Sequence, residues 1–238
     1  MTTTEAYAAA LIQAHASRQR ADATALPAPT YDEALAIQSR VMPTLGAVSG
    51  FKVADRVDGP PVIAPIPASR TLATGAVVPV IDLLGIELEI GFECLTDGAA
   101  DLKTPAQYFR PRIVLELVDT RLTGRELDPM TKLADMQINA GLILGPVLED
   151  WDGSDFSTVN ARLTCNDRTV IDGPATVPGG SALANLALFC AHVGQHCGGL
   201  RQGQTVITGS LSGLEYFPAG TKVAGHIDGF GGIGCTLG

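Results

Sequence analysis

Ile113-Val114-Leu115-Glu116-Leu117-Val118-Asp119 is an apolar run broken by a single carboxylate before its end. Side chains alternate along a strand, so Val114, Glu116 and Val118 share one face, and Leu115 and Leu117 fill the other. A strand that is apolar on both faces is buried on both sides. An ionised carboxylate in that setting costs several kcal/mol unless a cation, a hydrogen-bonding partner or a proton meets it. A salt bridge from Glu116 to Arg112 or Arg121 is one solution, and a metal ion is another.

Upstream, Leu84-Gly-Ile-Glu87-Leu-Glu89-Ile-Gly-Phe92 places two carboxylates at i and i+2 of a second strand. They point the same way, about 7 Å apart along the chain. Such a pair is either the solvated acidic face of a half-exposed strand or two oxygen ligands for a hard divalent cation. Neither run contains a lysine, and three glutamates on two strands fit Mg²⁺ or Mn²⁺. Lys52, in Ser49-Gly-Phe-Lys-Val-Ala54, lies between Phe51 and Val53. It reads either as a lysine snorkelling from a strand edge or as a proton carrier whose pKa a nearby cation and apolar walls push down.

Away from these runs, residues 4–20 have helical apolar spacing at Ala8, Leu11, Ile12 and Ala16. Thr30 and Glu33 form a capping-box pattern for a second helix that should stop near Pro43. Strands are expected at Val48–Val53, Ala76–Val80, Ile86–Cys94, Arg112–Asp119, Gly141–Gly145, Thr158–Cys165, Thr169–Ile171, Thr205–Thr208, Lys222–His226 and Ile233–Leu237. Asn166-Asp167 reads as a tight turn, and Ser181–Cys197 as the one long helix of the second half. Many strands with few, irregularly ordered helices predict an α+β fold around a curved or rolled sheet. The division is a helical segment, 1–45, and a β-rich domain, 46–238.

The 238 residues carry 16 Lys+Arg against 25 Asp+Glu, a net charge of −9, which argues against a nucleic-acid or anionic-membrane binder. Five scattered cysteines without a CxxC pattern predict reduced thiols, and the N-terminus has no signal-peptide pattern, so the expectation is a cytoplasmic protein. Gly229-Phe-Gly-Gly-Ile-Gly234 reads as a turn into a last strand. His192 and His196 lack the glutamate of a zinc-protease helix, and Gly209-Ser-Leu-Ser-Gly213 has leucine where a nucleophilic serine would sit.

Taken in order, several blocks resemble the hydratase/decarboxylase branch of the fumarylacetoacetate hydrolase superfamily, of the 2-keto-4-pentenoate hydratase type. These are Asp32–Gln38, Gly50-Phe-Lys-Val53, Glu87-Leu-Glu-Ile-Gly-Phe92, Val114–Arg121, Ala134–Gly145 and Gly203–Ser210. The resemblance implies a mixed β-sheet roll with an N-terminal helical segment, and Mg²⁺ or Mn²⁺ on Glu87, Glu89 and Glu116. It further implies Lys52 as acid/base, Gln137, Asn139 and Ser210 lining the substrate pocket, and a homo-oligomer able to associate with a related pathway enzyme. The implied reaction is hydration of a 2-hydroxy-2,4-dienoate to a 4-hydroxy-2-oxo acid in aromatic catabolism. Decarboxylation of a 2-oxo-enedioate, or a catalytically silent keto-acid-binding paralogue, is the alternative. The chain departs from the pattern at Ala68-Ser69, where an acidic pair is usual. Other departures are Met136 after Asp135, Pro178-Gly-Gly-Ser181 at the entry to the long helix, and Ala54 after Lys52-Val53.

Overall fold

The computed structural model describes residues 2–98 and 101–238. In chain order the first half holds α1 (Thr3–Ser17), β1 (Ala21–Asp22), α2 (Tyr31–Leu45), β2 (Val48–Ala54), β3 (Val62–Pro67), β4 (Thr71–Ala73), β5 (Val77–Val78), β6 (Leu83–Cys94) and β7 (Phe109–Val118). The second half holds β8 (Leu122–Thr123), α3 (Pro129–Ala134), β9 (Asn139–Val147), β10 (Thr158–Cys165), β11 (Arg168–Thr176), α4 (Ala182–His192), β12 (Thr205–Ser210), β13 (Glu215–Pro218), β14 (Lys222–Ile227) and β15 (Gly231–Leu237). This is the expected α+β architecture.

An eight-stranded mixed sheet runs β3-β2-β12-β6-β7-β9-β4, with β13 added along the early part of β6. It curls until β3 approaches β9, although they lie near opposite ends of the strand order. Ile66, Val114, Leu142 and Ile207 meet inside the curl. The outer face, including Leu88, Ile90, Leu115, Leu117 and Phe51, packs against the five-stranded sheet β11-β10-β14-β15-β5 and against Phe189 and Leu186 of α4. Both faces of β6 and β7 are therefore covered, as their near-continuous apolar runs require.

Helices α1 and α2 both start with capping boxes, Thr2–Glu5 and Thr30–Glu33. Their buried residues, Tyr7, Leu11, Ile37 and Val41 among them, close a separate apolar cluster with Leu133 of α3 and with Met136. Among the described residues no helix is long and apolar enough to cross a membrane.

Several expected boundaries shift. Helix α2 continues through Pro43 to Leu45, because a proline near a helix end loses one hydrogen bond but keeps a helical φ. Helix α4 ends at His192 and not at Cys197; a 3₁₀ turn, His196–Gly198, follows, with Cys197 at φ 49°. The short α3 was not expected, though Asp128 caps it by accepting from the amides of Met130 and Thr131. Strand β3 was also unassigned. It carries Pro65 and Pro67, which an edge strand tolerates because its outer N–H groups need no partner.

Gly50 fixes how closely β2 approaches β12: a Cβ there would collide with the carbonyl oxygen of Thr205. We expect Gly50→Ala to destabilise the protein by about 2 kcal/mol or more, through overpacking of rigid backbone. Urea unfolding measures this; an unchanged midpoint would show that β2 can move away.

Candidate metal centre

The register of β6 and β7 sets Glu87 directly opposite Glu116, with Glu89 one step along on the same face. That face is the inside of the curl. Parallel pairing of β2 with β12 brings Lys52 level with Ile207, on the same interior. One oxygen from each of Glu87, Glu89 and Glu116 lies within 4.8 Å of the others. Glu89 is 1% exposed and Glu116 0%, so water solvates neither.

The partner of Glu116 is Lys52, whose Nζ donates to both carboxylate oxygens at 2.8 Å and stands 4.0 Å from Glu87. The arginines considered for this role are engaged elsewhere. Arg112 bonds Glu93 and the Gly145 carbonyl, and Arg121 bonds Asp135. Nδ2 of Asn139 also donates to Glu116, at 2.8 Å. Glu89 accepts from the backbone N–H of Gly209 at 2.8 Å, where the irregular end of β12 turns its amide inward. Sequence reasoning did not single out Gly209. Its signal was a glycine at a strand end, where φ is +112° and a Cβ would press on Pro178.

The electrostatics follow from this crowding. Burial, then the neighbouring Glu116, push the Glu87 carboxyl up to about 7. Burial and the other two carboxylates lift Glu89 well above the usual range. Burial works against the charge on Lys52, but Glu116, Glu89 and Glu87 together outweigh it and hold the ammonium above its ordinary range. The sequence reading expected a lowered lysine pKa. That expectation assumed a cation beside it, and among protein groups alone the carboxylates dominate.

The turn leading into β9 has three successive non-glycine residues at positive φ: Met136 (52°), Gln137 (50°) and Ile138 (54°). Left-handed runs are disfavoured for L-residues, above all for β-branched isoleucine. Arg121 clamps this turn, donating to Asp135 Oδ1 at 2.6 Å and to the Asn139 carbonyl at 2.6 Å. The clamp aims Asn139 at Glu116. Of the other expected pocket residues, Ser210 lies opposite Glu89, with its hydroxyl in reach of Glu87. Gln137 has its Oε1 buried without a partner. At the departure from the acidic pair, the Ser69 hydroxyl donates to the Leu45 carbonyl, so it does not replace a carboxylate. His196 is bonded to Gln38, and His192 to the Leu188 carbonyl.

When all three carboxylates ionise, they leave an excess of two negative charges over the one ammonium in a largely buried site. The donors are all oxygen, which fits a hard divalent cation.

No family model and no curated protein matches the sequence, but solved structures match the fold. 4-Oxalocrotonate decarboxylase from Pseudomonas putida G7, complexed with calcium and acetate, superposes with a TM-score of 0.82 at 16% identity, covering 100% of this chain and 98% of the other. The same enzyme with magnesium and adipate gives 0.80 at 17% identity, over 98% and 97%. Fumarylpyruvate hydrolase from Pseudomonas aeruginosa, in complex with Mn²⁺ and pyruvate, gives 0.57 at 16% identity, over 80% and 89%. The chain therefore has the fold of these decarboxylase and hydrolase structures. Its curled sheet is the roll expected from the glutamate-bearing strands.

A raised carboxyl pKa means the folded, metal-free protein binds more protons than the unfolded chain between about 4.5 and about 7. The Glu87 contribution to stability should therefore fall as pH rises across that window, while His15, pushed down to about 3, contributes in the opposite sense. Denaturant titrations in EDTA on the wild type and on Glu87→Gln are expected to show a stability difference that changes with pH across the window. A difference that does not vary with pH would contradict the electrostatic description.

Proposed function

We propose that the chain is a divalent-metal-dependent lyase of the fumarylacetoacetate hydrolase superfamily, acting on a small 2-oxo or 2-hydroxydienoic acid. Glu87, Glu89 and Glu116 would hold Mg²⁺ or Mn²⁺. The observation that carries this reading is the buried trio of carboxylates with a single lysine among them. When bound, such a cation supplies Lewis-acid stabilisation for charge developing on the 2-oxygen of a 2-oxo acid.

The chain's own residues supply the rest. Lys52, gripped by both oxygens of Glu116, holds a proton at Nζ next to the site. Ser210, Asn139 and Gln137 offer hydroxyl and amide groups to bind the substrate's polar end. A recess of about 320 Å³ beside Tyr216, Leu83 and Ile138 gives its tail a place on the carboxylate side of the sheet. The helical segment 1–45 then serves as a brace for the turn that carries Gln137, packing through Met136 onto the catalytic roll 46–238. Assembly as a homo-oligomer and residence in the cytoplasm belong to this reading.

Between the two lyase reactions, we favour decarboxylation of a 2-oxo-enedioate. The C–C bond to the distal carboxylate breaks, CO₂ leaves, and the electron pair delocalises through the conjugated chain onto the 2-oxygen. Lys52 Nζ is placed to supply the proton that completes the product. One proton carrier suffices for this. Hydration requires a second group to activate water, and the Ala68-Ser69 position provides none. Similarity over the full length of a decarboxylase supports the same choice. Hydration of a 2-hydroxy-2,4-dienoate remains the second reading, supported by the motif resemblance.

Incubation of 2-oxo-3-hexenedioate with protein and Mg²⁺ should release one CO₂ per molecule consumed, with 2-hydroxypenta-2,4-dienoate identified by mass. Its further gain of one water would favour the hydratase, and no turnover of either acid with Mn²⁺ bound would leave a silent paralogue. Glu116→Ala should abolish stoichiometric Mn²⁺ binding. Lys52→Ala should retain the metal and lose at least about a hundredfold in rate, as expected for removal of a positioned acid/base.

A further inference from the structure

A cavity of about 550 Å³ lies between the end of α1, the Pro67–Leu72 segment and the chain around β5. Its apolar wall includes Val78, Leu84 and Leu117. Leu117 and Leu84 point to the opposite side of the sheet from Glu116 and Glu87, so the cavity's apolar wall faces away from the carboxylate centre, with Asn139 bordering both. None of the three glutamates lines it.

Four arginines border this cavity in a protein of net charge −9. Two are committed: Arg20 to Asp82 and Asp119, and Arg121 to Asp135. The other two, Arg18 and Arg70, form no ion pair with any carboxylate among the described residues. Burial, then the charges of Arg18 and Arg121, pull the half-buried Arg70 guanidinium below its ordinary range. His15 borders the same space, and its Nε2 is buried without a hydrogen-bond partner. Burial, then Arg121 and Arg70, push this imidazole down to about 3, so it is neutral at physiological pH and free to donate from one nitrogen. Two guanidinium groups without a carboxylate partner and an imidazole nitrogen without a hydrogen bond thus border a cavity whose remaining wall mixes hydrocarbon with the polar side chains of Gln19, Ser69, Thr120 and Asn139, and whose one carboxylate, Asp119, is paired with Arg20.

We propose that this cavity is a second binding site, for a small organic carboxylate. Arg70 and Arg18 take the carboxylate, His15 Nε2 adds a hydrogen bond, and Val78, Leu84 and Leu117 cover the hydrocarbon tail. Guanidinium groups suit a planar carboxylate through paired N–H donors. The apolar wall selects an organic anion over an inorganic one. Asn139 borders the cavity and also donates to Glu116, so an occupant touches a residue that orients the carboxylate centre. Arg18, Arg70 and His15 take no part in the reaction proposed above, so the site does not depend on it.

The test is calorimetric titration of the full chain in EDTA with hexanoate and, separately, with inorganic phosphate. EDTA removes any cation that could attract an anion to the glutamates. Hexanoate should bind saturably, with phosphate at least about tenfold weaker, and Arg70→Ala and Arg18→Ala should each weaken hexanoate by about tenfold, the value of one charge-assisted hydrogen-bonding group. Thermal melts check folding; should Arg70→Ala fail to fold, the exposed Arg18→Ala carries the comparison. No saturable hexanoate binding, unchanged affinity in the arginine variants, or phosphate binding as tightly as hexanoate would each overturn the proposal. This outcome is separable from failure of the lyase reading, which is scored by turnover with metal present.

Discussion

Burying a carboxylate costs several kcal/mol even after the protein relaxes around it, and the curled sheet buries Glu89 and Glu116 almost completely, with Glu87 close behind. Lys52 and Asn139 offset part of that cost at Glu116, and the Gly209 amide part of it at Glu89. The excess negative charge is left for a proton or a cation to neutralise. Much of the surrounding architecture serves this arrangement. The sheet curls so that β2 presents Lys52, β6 presents Glu87 and Glu89, and β7 presents Glu116 to a common interior. Gly50 keeps β2 close, and the Arg121–Asp135 clamp holds the strained turn that delivers Asn139. Strain of this kind persists only where its surroundings over-determine it, and it recurs at functional sites.

Much of this was readable in the residues. Period-two alternation alone sets Glu87, Glu89 and Glu116 on one face of their strands, and an apolar run with one carboxylate announces that something must meet that charge. Which group meets it was not readable. Lys52 lies 64 residues from Glu116 in sequence, on a strand that reaches it only after the sheet curls, whereas Arg112 and Arg121 are neighbours in sequence and were the only side-chain partners weighed against a metal ion. Strand β3 was hidden by its prolines, whose tolerance depends on an edge position that no local pattern reveals. Gly209 was missed because its contribution is a backbone amide, for which glycine is only a permissive signal. Helix α4 was read too long because apolar spacing continues past His192 while Gly194 has already turned the chain.

The two faces of β6 and β7 carry different chemistry, and this organises the functional account. Inside, oxygen donors and one lysine form a compact, largely buried centre, which the proposed lyase reaction would use to stabilise an enolate-like charge. Outside, Leu84 and Leu117 help wall a chamber bordered by arginines, and Asn139 reaches both. A strand pair buried on both sides is therefore a physical connection between the two chambers.

The central claim is that Glu87, Glu89 and Glu116 seat one divalent cation. Anomalous diffraction from crystals of the full chain soaked in Mn²⁺ tests it most directly. The account predicts a single strong peak roughly 2.1–2.3 Å from one oxygen of each glutamate, the range for hard cations with carboxylate ligands. Full-occupancy Mn²⁺ elsewhere, or none between these side chains with Lys52 still bound to both oxygens of Glu116, would contradict it.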